Sequence, residues 1–182
     1  MRSKGSRKMK GLFALTVGFL MVQSGISAVE LATLKVNDQI KLIAHRGDVS
    51  QGVENSLEAL EAAAKEKASY VEMDILLTKD HQFVVLHDYN LKRLAGVNKN
   101  VKDMNLAEVQ GLKIQQDGHT SHIPSFEEYV KRAKELNIKL LVELKPHGGE
   151  PANYVDLFVQ KMRDLGVEKD YPAMSLDLSV ME

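Results

Sequence analysis

From Ile40 onward the chain alternates short apolar runs with stretches of helical spacing, and this alternation restricts the fold more than any other feature. The runs are "KLIAH" (Lys41 to His45), "YVEMDILL" (Tyr70 to Leu77), "QFVVLHD" (Gln82 to Asp88), "IKLLVELK" (Ile138 to Lys145) and "YPAMSLD" (Tyr171 to Asp177). Between them, Glu54 to Ala68, Ser125 to Asn137 and Asn153 to Gly166 carry helical spacing, the second opening on a serine N-cap and the third closing on glycine. Continuous apolar runs of strand length are those of strands buried on both faces, and strands alternating with helices imply crossover connections and a parallel sheet. The expected class is therefore α/β.

In such a sheet the carboxyl ends of the strands lie on one side, where sites are built. His45 and Arg46 follow the first run, Glu72 and Asp74 lie within the second, His87 and Asp88 end the third, and Glu143 and Lys145 end the fourth. Residues two apart share a strand face, so Glu72 goes with Asp74 and Glu143 with Lys145. Any one of these residues alone is ordinary surface or core chemistry; four consecutive strands ending alike is not. Three carboxylates suit a hard divalent cation such as Mg2+ or Ca2+. Arg46 and Lys145 suit an anion, most naturally a phosphate, and two histidines suit proton transfer near neutral pH. Together they describe phosphate-ester cleavage.

Composition narrows the alternatives. The 182 residues contain no cysteine, which excludes disulfides and thiolate metal sites. The formal charge is −1, but five basic residues fall within Met1 to Lys10, and the remainder carries 19 basic against 25 acidic residues. An acidic body argues against a nucleic-acid partner. The basic start is followed by an apolar helix-length run, "GLFALTVGFLMV" (Gly11 to Val22), and then by small and polar residues. Residues 1–30 are expected to be a signal peptide or a membrane-anchor helix. Either sends the remainder to the extracellular face, because the basic flank stays inside.

Several motifs resemble the glycerophosphodiester phosphodiesterases: "AHRG" (Ala44 to Gly47), "EN" (Glu54, Asn55), "VEMDILLTKD" (Val71 to Asp80), "VVLHD" (Val84 to Asp88), "IPSFEE" (Ile123 to Glu128) and "LLVELK" (Leu140 to Lys145). The resemblance implies a TIM-barrel fold and metal-dependent hydrolysis of glycerophosphodiesters to glycerol 3-phosphate and an alcohol. It implies that His45 and His87 are the acid/base pair, that Glu72, Asp74 and Glu143 are metal ligands, and that Arg46 and Lys145 hold the phosphate. Glu54 is expected near the site; the proline that usually precedes it is replaced by Val53.

The resemblance also implies that the connection at about 90–124 caps the barrel. Within it His119 and His122 read as solvent-facing; His81 reads as a turn residue and His147 as a loop residue near the rim. A (β/α)8 barrel takes about 250 residues, whereas residues 40–182 supply five strands, so an incomplete barrel is expected. A related barrel phosphodiesterase acting on phospholipids or glycerol-phosphate polymers, and a phosphate- and metal-binding module without turnover, are the alternatives.

Overall fold

The computed structural model describes residues 21–22 and 41–180. Its main sheet contains β1 (Met21–Val22), β2 (Ile43–His45), β3 (Tyr70–Leu77), β4 (Phe83–Val85), β7 (Lys139–Leu144) and β8 (Ala173–Met174). The strand order is β1-β2-β3-β7-β8, with every neighbouring pair on this path parallel. A second, two-stranded sheet pairs β5 (Lys113–Gln116) with β6 (His119–His122).

The helices are α1 (Leu57–Lys65), α2 (Lys92–Ala95), α3 (Leu106–Gln110), α4 (Phe126–Glu135) and α5 (Tyr154–Asp164). The longer ones begin and end where local chemistry predicts. Ser56 accepts a hydrogen bond from the Ala59 N–H at the start of α1, and Ser125 forms a reciprocal capping box with Glu128 at the start of α4. After α5, Gly166 takes a left-handed φ of +63°.

One expectation is corrected. The third apolar run is antiparallel to the second, with Ile75 opposite Val85 and Leu77 opposite Phe83. Only Thr78 to Gln82 separate the strands, far fewer than the dozen or so residues a parallel crossover needs. His87 and Asp88 nevertheless reach the rim. β3 overshoots it and β4 folds back along the overshoot, so that the Leu86 N–H donates to the Asp74 carbonyl.

β3 divides two cores. Val71, Met73 and Ile75 join the cluster formed with α1, α4 and α5, while Leu76 joins a second cluster with Val84, Leu86 and the apolar residues of the 91–123 insertion. The alternation leaves Glu72 and Asp74 on the face away from the helices. The insertion, expected only as a connection that caps the barrel, is thus a small packed unit with its own core.

Of the expected apolar helix, only Met21 and Val22 lie among the described residues; these two are extended and pair with Ile43 and Ala44. The exposed edge of β2 offers backbone groups that a strand can satisfy and a helix cannot. The rest of that segment lies outside the described residues. Among the described residues no helix is long and apolar enough to cross a membrane.

Candidate active site

Sheet register assembles the rim. His45 lies directly across from Glu72 in the β2–β3 ladder, and Asp74 lies directly across from Glu143 in the β3–β7 ladder. Because Glu72 and Asp74 share a strand face, the three carboxylates converge, and one oxygen from each lies within 4.8 Å of the others. All three residues are buried.

So much negative charge out of water raises its own proton affinity. Burial, reinforced by the neighbouring Asp74 charge, pushes the Glu72 carboxyl up to about 8. Glu143 is also raised, by burial and then by Asp74, in spite of the opposing Lys145 ammonium. Glu72 Oε1 and Asp74 Oδ1 are buried without a hydrogen-bond partner. Buried carboxylate oxygens are seldom left so, and a hard cation with an affinity for oxygen is the group such a donor set fits.

The cations sit around this cluster. Lys145 Nζ is 3.6 Å from Asp74 Oδ1 and 3.7 Å from Glu143 Oε1. Arg46 Nε is 3.4 Å from Asp74 Oδ2, and its Nη1 donates to Glu54 Oε1 at 3.2 Å. Arg46 follows the last residue of β2 with a left-handed φ of 58°, and its backbone N–H donates to Glu72 Oε2 at 3.1 Å. The chain turns there only because Gly47 (φ +87°) has no side chain: a Cβ would stand 2.7 Å from the Ala59 backbone carbon.

The two histidines differ in their partners. His45 Nε2 is 3.7 Å from Glu72 Oε2, and burial, followed by the Arg46 charge, holds its pKa below the ordinary imidazole value. His87 Nδ1 is 2.7 Å from Asp88 Oδ1. An ionised carboxylate only accepts, so Nδ1 carries the hydrogen and Nε2 is left as the basic nitrogen.

The structure therefore brings together His45, Arg46, Glu72, Asp74, His87, Glu143 and Lys145, with Glu54 one contact further out. Sequence reasoning passed over three contributors. Asn55 donates Nδ2 to Asp74 Oδ2 at 2.8 Å and accepts the Asp74 N–H at 3.3 Å; its place in the "EN" pair was the available signal. Gln116 donates to Glu54 Oε2 and accepts the Glu54 N–H, and Arg93 donates to both Glu54 oxygens. Both lie in the insertion, and no local pattern marks either. His147 is paired with Glu150 and packed edge-on against Tyr89, so it does not join the rim cluster.

Residues 45–180 match the glycerophosphoryl diester phosphodiesterase family. A glycerophosphodiester phosphodiesterase of Bacillus subtilis (strain 168) is 32% identical over 152 residues, covering 81% of this chain and 50% of that protein. A crystal structure of a glycerophosphodiester phosphodiesterase from Parabacteroides distasonis aligns with a TM-score of 0.64 at 31% identity, over 77% of this chain and 58% of that one. An Oleispira antarctica phosphodiesterase, solved in complex with the product sn-glycerol-3-phosphate, aligns with a TM-score of 0.65 at 27% identity, over 74% of this chain and 56% of that one. The chain spans about half the length of the curated relatives it matches. The described sheet is accordingly an incomplete TIM barrel of the kind these neighbours possess. With a match running from the first rim histidine to the end of the described residues, the chain belongs to the glycerophosphoryl diester phosphodiesterase family.

Proposed function

We propose that the chain hydrolyses glycerophosphodiesters to glycerol 3-phosphate and an alcohol. The observation that carries this reading is the buried Glu72, Asp74 and Glu143 cluster, with His45 beside Glu72 and with His87 close enough to Glu143 for its charge to act on that carboxyl. Family membership and the product bound to the Oleispira antarctica relative support it.

Glu72, Asp74 and Glu143 would hold a divalent cation, Mg2+ or Ca2+, which supplies Lewis-acid polarisation of a phosphoryl oxygen when bound. Arg46 and Lys145 bind the phosphate and offset the charge that builds on its oxygens. One of His45 and His87 takes the proton from the attacking hydroxyl, of water or of the glycerol itself; the other gives a proton to the departing alcohol. His87 would act through Nε2, since Nδ1 is committed to Asp88.

His45→Ala and His87→Ala are each expected to lower kcat by roughly two to four orders of magnitude, read as glycerol 3-phosphate release over a panel of headgroups. Near-normal turnover in either variant would remove that histidine from the mechanism. Release only from lysophospholipids or glycerol-phosphate polymers would move the substrate class instead.

The chain is further proposed to work on the extracellular face, secreted or membrane-anchored. The basic Met1 to Lys10 segment and the apolar run after it support this. Protease accessibility on intact cells tests it, and full protection would contradict it.

A further inference from the structure

We propose that Arg93, carried by the insertion, is a positioning residue that fixes the orientation and tautomer of His87 by acting through Asp88. This rests on the role given to His87 above and extends it to a residue outside the barrel strands.

The geometry is a chain of committed atoms. Asp88 Oδ1 meets His87 Nδ1 at 2.7 Å, and Asp88 Oδ2 accepts from Arg93 Nε. Arg93 then forks onto Glu54, with Nη1 donating to Oε2 at 3.0 Å and Nη2 to Oε1. Glu54 is itself held by Arg46 Nη1 and by both ends of the Gln116 amide. Every guanidinium nitrogen of Arg93 is therefore used, and both Asp88 oxygens are occupied.

Such an arrangement is needed because His87 and Asp88 are adjacent beyond the end of β4, where no ladder fixes their side chains. Their side chains are 30% and 28% exposed, so water competes for both. A lone Asp88 would turn away from the imidazole in some rotamers, and His87 would then distribute its proton between the two nitrogens. Arg93 removes that freedom: turning Asp88 means breaking a charge-assisted bond at each oxygen. A planar fork does this and a lysine ammonium does not, because Nε must face Asp88 while the two terminal nitrogens face Glu54. Arg93 also lines the groove of about 800 Å³ shared by His87, Tyr89 and Lys145. Burial pushes the Asp88 carboxyl up, but the hydrogen bonds from Arg93 and His87 outweigh it and hold its pKa below the usual range, which keeps it an acceptor.

The test uses the full 182-residue chain as wild type, Arg93→Gln and Arg93→Lys, each checked for an unchanged circular-dichroism spectrum. Two-bond 15N–1H correlation of 15N-histidine protein, at about pH 8.5 where a free imidazole is neutral, reads the His87 tautomer; His87→Ala assigns the signal. The wild type is expected to show only the Nδ1–H form, Arg93→Gln a mixture of forms, and Arg93→Lys an intermediate. In steady-state hydrolysis, kcat should fall about 10- to 100-fold in Arg93→Gln with KM within about twofold, the scale of a misplaced catalytic group.

A wild-type tautomer pattern retained in folded Arg93→Gln overturns the proposal, and so does a loss confined to KM. If Arg93→Gln fails to fold, the same comparison is made with Arg93→Lys. A wild-type chain without turnover would count against the hydrolase reading alone, since the tautomer comparison still decides the role of Arg93.

Discussion

Replacing Gly47 by alanine tests how the barrel wall aims Arg46 at the carboxylates. Two costs add at this position. Gly47 has φ +87°, where a side chain costs roughly 1–2 kcal/mol. The new Cβ would also lie 2.7 to 2.8 Å from the Ala59 carbonyl carbon, Cβ and carbonyl oxygen. Two of those atoms are helix backbone and cannot rotate aside, so overpacking adds about 1–3 kcal/mol. The sum, about 2–5 kcal/mol, lowers Tm by about 2–4 °C per kcal/mol in a chain of this size. Gly166→Ala is the control: its φ of +63° is similar, but nothing lies within 4 Å of the added Cβ, so only the conformational cost remains. Thermal unfolding followed by circular dichroism compares the two. The α1 helix must also recede by up to about 1 Å, the scale at which misplacement costs about 100-fold in rate, so activity should fall with stability. Equal Tm losses in the two variants would refute the close-approach argument.

Two more predictions follow from the charge balance of the site. In chelator, stability should fall as pH rises from about 6.5 to 8, because the folded state keeps a proton on Glu72 (raised to about 8) that the unfolded state has released. Below that window the lowered His45 pKa acts in the opposite direction. The fall is about 2 kcal/mol over the window; saturating Mg2+ or Ca2+ should abolish it, and a Tm in chelator that is flat or rising would contradict the raised carboxyl. Asn55→Gly keeps the left-handed φ of 60° at no steric cost but removes the donor to Asp74, so calorimetry should show metal affinity weakened about 10- to 100-fold. Unchanged affinity would mean that Asn55 does not orient the ligand.

What was legible in the sequence were features in which local chemistry and tertiary demand agree. Ser125 marks a helix start, and the odd positions of β3 face the helices while Glu72 and Asp74 do not; the first helix begins at Leu57 behind a Ser56 cap, three residues after the Glu54 that its spacing suggested. The rim residues were legible because a period of two leaves no other face for them. What escaped depended on distance along the chain. The reversal at β4 was readable from its short connection, which cannot cross over. The β5–β6 hairpin had a signal in Asp117-Gly118, both with positive φ, which suits a tight hairpin turn. Asp74 meets Asn55 nineteen residues away, and Glu54 meets Arg93 and Gln116 thirty-nine and sixty-two residues away. The two contacts of Glu54 exist only once the insertion has packed its own core onto β3 and β4. Arg46 also departs from simple expectation: it is partnered by Glu54 and Asp74 as well as being placed to meet a phosphate.

The most direct test of the central claim is release of glycerol 3-phosphate from glycerophosphocholine by the full chain, in Mg2+ or Ca2+ and in chelator, with Glu72→Gln alongside. Release should need the cation, disappear in chelator, return when the cation is restored, and be lost in the variant. Release that persists undiminished in chelator, or in Glu72→Gln, would contradict the assignment of the buried carboxylate cluster as the cation-holding centre of the reaction.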